Sequence, residues 1–184
     1  MTTKTVKNSI KKLVLSALFI AIGIVLPFFT GQIPQVGNFI LPMHIPVFLC
    51  GLICSWNYGL AVGFILPLLR SFLFGAPPLY PNAIAMCSEL AVYGLVCGFI
   101  YNKTGKQNIK KVYISMIVAM LVGRAVWGAA EMALLGVKGN TFTVKMFLAG
   151  AFIEAIPGII LQLVLIPAII FALDRSGIHT YKSR

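Results

Sequence analysis

Apolar runs punctuated by Gly, Pro, Asn and Lys divide the 184 residues at about 12–29, 40–55, 57–75, 82–101, 111–135 and 143–173. Each run approaches the roughly 20 residues that a helix needs to cross about 30 Å of hydrocarbon. The pattern predicts an all-α integral membrane protein of six transmembrane helices, forming a single membrane domain over residues 1–184. The second run is short, the last is long, and "CSWNYG" joins the second and third tightly enough for a broken hairpin. Lysines ahead of "LVLSALFIAIGIVLPFF" imitate a secretion signal, but no small-x-small cleavage site follows, so this run is expected to stay as the first helix. No internal repeat of the kind many secondary transporters show is evident.

Composition supports the same class: 59% of the residues are hydrophobic and 10% charged, whereas a soluble domain carries about a quarter charged. The net charge of +11 lies in short flanks between the runs. Anionic headgroups and topology account for such flanks better than nucleic acid does. Lys4, Lys7, Lys11 and Lys12 precede the first run, Lys103, Lys106, Lys110 and Lys111 separate the fourth and fifth, and Arg175, Lys182 and Arg184 follow the sixth. The opposite loops hold only Lys138 and Lys145, so both termini are expected on the cytoplasmic side. A phosphate-cradling G-x-x-x-x-G-K-[ST] loop is missing, so any energy for transport comes from elsewhere. Cys50, Cys54, Cys87 and Cys97 all fall within apolar runs and read as small buried thiols.

Within this apolar sequence, "GFILPLLRSFLFGAPPLYP" places Arg70 in the middle of a span, where a charge costs roughly 2.5–3.5 kcal/mol. A rise of about 1.5 Å per residue puts Arg70 and Arg124 about 20 Å above the cytoplasmic side, with Glu89, Glu131 and Glu154 in the same outer layer. Five unpaired charges would cost on the order of 12–18 kcal/mol, so they are expected to face one another or water. An outward-opening polar cavity satisfies that need, capped by "TGQIPQVGN", "GAPPLYP" and "KGNTFT". Pro77, Pro78 and Pro81 stiffen the lid. The bland alternative is packing ion pairs, Arg70 with Glu89 and Arg124 with Glu131 or Glu154. Trp127, one turn above Arg124, and Tyr80, Asn82 and His44 near the outer surface complete the candidate contacts. Each has a structural alternative, as core residue or interfacial anchor. Three acids against two bases leave one acid to be protonated or to hold a cationic or hydroxylated ligand group. No His/Asp/Glu metal cluster and no Ser-His or Cys-His pair is credibly placed, so neither an enzyme, a metal site nor a cofactor is expected.

Taken together, this layout resembles the substrate-binding S-components of energy-coupling-factor (ECF) vitamin transporters over the whole chain. "LSALFIA" places Ala17 and Ala21 four apart in the first helix, matching the small-residue motif with which that family docks on its transmembrane scaffold subunit. Small pairs recur at Gly59/Gly63, Gly94/Gly98, Ala125/Ala129, Ala151/Ala155 and Ala168/Ala172, so it is the position that distinguishes the first. The texture of "LPMHIPVFLCGLICSWNYGLAVGFILPLLRSFLFGAPPLYP" and "AGAFIEAIPGIILQLVLIPAII" is similar to a branch often assigned to pantothenate. The resemblance implies a vitamin-binding subunit in a bacterial plasma membrane, working with a scaffold subunit and two ATPases. Two arginines would grip a carboxylate and the acids its hydroxyls. Pyridoxine-type vitamins, riboflavin or thiamine remain alternative ligands. A solitary ion-coupled carrier, with Glu89, Glu131 and Glu154 as a relay, is the competing class.

Overall fold

A computed structural model describes residues 2–30, 40–103, 108–137 and 143–176. Its elements run α1 (Thr2–Val25) with a 3-10 turn at Leu26–Thr30, α2 (His44–Cys54), α3 (Trp56–Phe74), a wide turn at Leu79–Ala83, α4 (Ile84–Lys103), α5 (Ile109–Val137), α6 (Val144–Leu148), a second wide turn at Ala149–Ile153, and α7 (Ile156–Arg175). The all-helical expectation holds, with no strand among the described residues. Five segments are long and apolar enough to cross a membrane: Val6–Phe29, Trp56–Phe74, Leu79–Lys103, Ile109–Val137 and Val144–Arg175.

The segment expected as the second span differs from the rest. Helix α2 has 11 residues, about 16 Å of rise, and all but Ile53 are buried. A helix apolar on every side needs apolar surroundings on every side, and here α1, α3, α4 and α7 provide them. Lipid-facing and protein-buried runs share one composition, which is why the hydropathy pattern alone suggests a full crossing.

Glycine sets how closely the central helices approach. A Cβ on Gly94 would lie 2.2 Å from the Gly59 backbone, and one on Gly63 would lie 2.2 Å from the Leu90 carbonyl. At the next level, Gly51 faces Gly94 and Gly98 faces Gly51 and Trp56, each with 2.7 Å available. Backbones in such contact compensate for the absence of a hydrophobic drive between helices in lipid. Helix α4 is thereby the most enclosed span, 56% buried over its apolar window against 22% for the first. Helix α3 then stops at Gly75, which adopts φ 67° and donates its N–H to the Ser71 carbonyl at 2.9 Å. The prolines beyond prevent further helix, and Tyr80, ahead of Pro81, is extended at φ −119° and ψ 132°.

Gly94→Ala should destabilise the protein by about 1–3 kcal/mol through overpacking. Gly136→Ala should be neutral or stabilising, because nothing lies within 4 Å of a Cβ there. Thermal unfolding followed by thiol-reactive dye labelling of the four buried cysteines would read both.

Candidate functional site

Helical spacing brings polar side chains to one cavity. On α5, Arg124, Trp127 and Glu131 recur at i, i+3 and i+7, and Asn82, Met86 and Glu89 recur similarly from the wide turn into α4. Together with Leu41, His44, Gly150 and Glu154 they line a cavity of about 160 Å³. Glu89 is 1% exposed, and its Oε1 accepts from the Tyr93 hydroxyl at 2.8 Å and from Arg124 Nη1 at 3.0 Å. His44 Nε2 lies 3.9 Å from the same oxygen, beyond hydrogen-bond range. Both ring nitrogens of His44 and the Nε of Arg124 are buried without a hydrogen-bond partner among the described residues. Buried polar atoms are rarely left so, and here they border a cavity. Glu131 is buried, Glu154 is exposed, and neither forms an ion pair among the described residues.

Trp127 forms one wall. Its indole stacks on Phe147 with centroids 6.3 Å apart and planes at 26°. A Cβ on Gly150 would stand 3.0 Å from the ring, so the glycine leaves the indole its room.

Of the expected contacts, Arg124, Glu89, Glu154, Trp127, Asn82 and His44 line this cavity, while Arg70 and Tyr80 do not. Arg70 requires a correction. It was expected in the cavity or, on the bland alternative, in a packing pair with Glu89, but Arg124 takes Glu89 and Arg70 turns to α1. Its Nη1 donates to the Ile24 carbonyl at 2.7 Å, and its guanidinium carbon lies 5.4 Å from the Phe28 ring centroid and 5.7 Å from that of Phe74. Carbonyls in the last turn of a helix lack internal partners, which hydrocarbon cannot supply, and Arg70 meets this need for α1. The two phenylalanines pack edge to face at 5.0 Å and present π faces to the charge. Tyr80 donates its hydroxyl to the Leu134 carbonyl, tying the proline-rich turn to the end of α5. Most of "TGQIPQVGN" and "KGNTFT", expected as further caps, lies outside the described residues.

Leu41, Met86 and Gly150 are lining residues that sequence reasoning missed. Met86 was open to detection through its spacing with Asn82 and Glu89, whereas Gly150 carries no local signal. Ala17 and Ala21 are both exposed on α1. Among the described residues no group of three His, Cys, Asp or Glu side chains is placed to hold a metal ion.

Removing one member of the buried pair should cost about 3–5 kcal/mol, so Arg124→Met and Glu89→Met should each be strongly destabilising. The double variant should recover part of that loss. Arg70→Met should also destabilise, yet add to Glu89→Met within about 0.5 kcal/mol. Unfolding in detergent measures these couplings, and the opposite pattern would restore the Arg70–Glu89 pairing.

Compared with known proteins, the family model described as "ECF transporter, substrate-specific component" matches residues 11–170. No curated protein and no solved structure matches the chain.

Proposed function

The chain belongs to the substrate-specific components of ECF transporters, and from that premise we propose that its polar cavity captures a small vitamin-type ligand for import driven by a separate scaffold subunit and ATPases. The observation that carries this reading is convergence: Glu89, Glu131, Glu154, Arg124, His44 and Trp127 come from separate parts of an apolar bundle to one cavity. Ionisable groups at membrane depth are expensive and are kept where they meet a ligand or each other. A bacterial plasma membrane is the setting we infer from the family, and cytoplasmic termini from the lysine placement.

Charge selects the ligand class. With Arg70 elsewhere, the cavity has three carboxylates and one guanidinium, and that guanidinium is already bound to Glu89. The unmatched Glu131 and Glu154 favour a ligand that brings hydrogen-bond donors or positive charge, such as an amine, a protonated ring nitrogen or hydroxyls. Trp127 offers one aromatic face for a ring. Pyridoxine- or thiamine-type vitamins fit this description better than pantothenate does. Pantothenate remains the second reading on one observation, since the unpartnered Arg124 Nε is a donor to which a carboxylate could bind.

In a Trp56→Phe background, Trp127 fluorescence can be titrated with a panel of vitamins. Cationic or hydroxylated ring vitamins should bind, and Glu131→Gln should weaken them at least about tenfold, near 1.4 kcal/mol. If pantothenate alone binds and Arg124→Gln abolishes it, the second reading replaces the first. If a folded protein binds no vitamin, capture itself is wrong.

Partner dependence has its own test. Ala17 and Ala21 lie about 6 Å apart on α1, so Trp at both would hold a scaffold helix away. That variant should bind vitamin as the wild type does, yet fail to support ATP-dependent uptake when reconstituted with scaffold and ATPases. Uptake by the chain alone, driven by an ion gradient, would favour the solitary carrier.

A further inference from the structure

A second cavity, of about 380 Å³, lies at the lysine-rich end of the bundle. It shares no lining residue with the first, and α2 separates the two, with His44 at one and Cys54 at the other, about 15 Å apart along the helix. We propose that it holds the phosphate of an anionic phospholipid.

Its charge is the reverse of the vitamin cavity's. Lys12 of α1 and Lys103 of α4 line it, and no acidic residue does among those described. Lys103 Nζ lies over the Phe99 ring at 5.4 Å, which restrains a long side chain that would otherwise sample many rotamers. Ser55 lies between α2 and α3 on the wall, at φ 117° and ψ 163°, a conformation that costs a non-glycine residue on the order of 1–3 kcal/mol. The cavity lies where α2 ends at Cys54, α4 ends at Lys103 and α3 begins at Trp56, so helix poles of both signs meet there and the attraction for an anion comes from the two ammonium groups. Two ammonium groups around one hollow suit a phosphate better than any neutral group.

A soluble phosphate would be recognised by the same chemistry. The shoulders of the cavity favour a lipid, because Trp56 and Phe99 are 40% and 48% exposed beside the lysines. Aromatic rings at headgroup depth, flanking a cationic hollow, provide apolar surface where acyl chains begin.

Native mass spectrometry of the full chain in mixed phosphatidylglycerol and phosphatidylcholine tests this. One phosphatidylglycerol per protein should survive gentle activation, with at least about tenfold preference over phosphatidylcholine. Lys12→Gln with Lys103→Gln should abolish the preference, whereas Lys7→Gln with Lys110→Gln removes equal charge outside the cavity and should keep it. Equal loss in both pairs would mean diffuse attraction and would overturn the site. Lys12→Arg with Lys103→Arg should retain the lipid, and loss there would also overturn the proposal. Should the glutamine pair fail to fold, Lys103→Gln alone, at an exposed residue, must lower retention severalfold or the proposal fails. Inorganic phosphate or glycerol 3-phosphate at millimolar concentration should not displace the lipid; displacement would reassign the cavity to a soluble anion.

Discussion

A single carboxylate organises the centre of the molecule. An isolated ion in an apolar bundle costs several kcal/mol, so Glu89 can occupy α4 only if other helices bring donors to it. Arg124 comes from α5 and the Tyr93 hydroxyl from one turn along α4. Tyr93 is held in turn, stacked on Phe48 of α2 at 4.9 Å and close against Gly123 of α5, where a Cβ would lie 2.1 Å from the ring. Three helices are thus registered around one oxygen atom. The unpartnered edges of His44 and Arg124 are left on the cavity side of that arrangement.

Much of the fold was legible because hydrocarbon imposes a simple rule on length and polarity. The rule says how deep a residue lies and says little about which way it points. Arg70 and Arg124 occupy similar heights by counting along their helices, yet one faces the cavity and the other closes the end of α1. Only the rotation of α3 against its neighbours decides this. Phe74, one turn beyond Arg70, was the local hint that the guanidinium has an aromatic partner. Arg124, by contrast, shares its face with Trp127 and Glu131, so its neighbours announce a polar surface.

Small residues spaced by four show a similar ambiguity. The spacing permits close approach without saying whether the approaching helix belongs to the same chain. At Gly59, Gly63, Gly94 and Gly98 the neighbour is internal, and the absence of Cβ atoms is used in full. Ala17 and Ala21 remain uncovered, as do Ala125, Ala129, Ala168 and Ala172. Glycine marks backbone contact inside the bundle, whereas three of the alanine pairs lie at its margin and the fourth, Ala151/Ala155, is buried.

The polar cavity also has walls of unequal strength. Helices α2, α4 and α5 are tied together by the buried ion pair and the glycine contacts, but the remaining side is α6, five residues long with none buried, and the wide turn after it. This side continues into α7, and it is seated by Phe147 against Trp127 and Gly128 and by the buried Ala151. The Arg124–Glu89 pair takes no member from this side. On the proposed function, recognition would rest on α2, α4 and α5 and access on the side built by α6 and the wide turn, two properties carried by different segments of the chain.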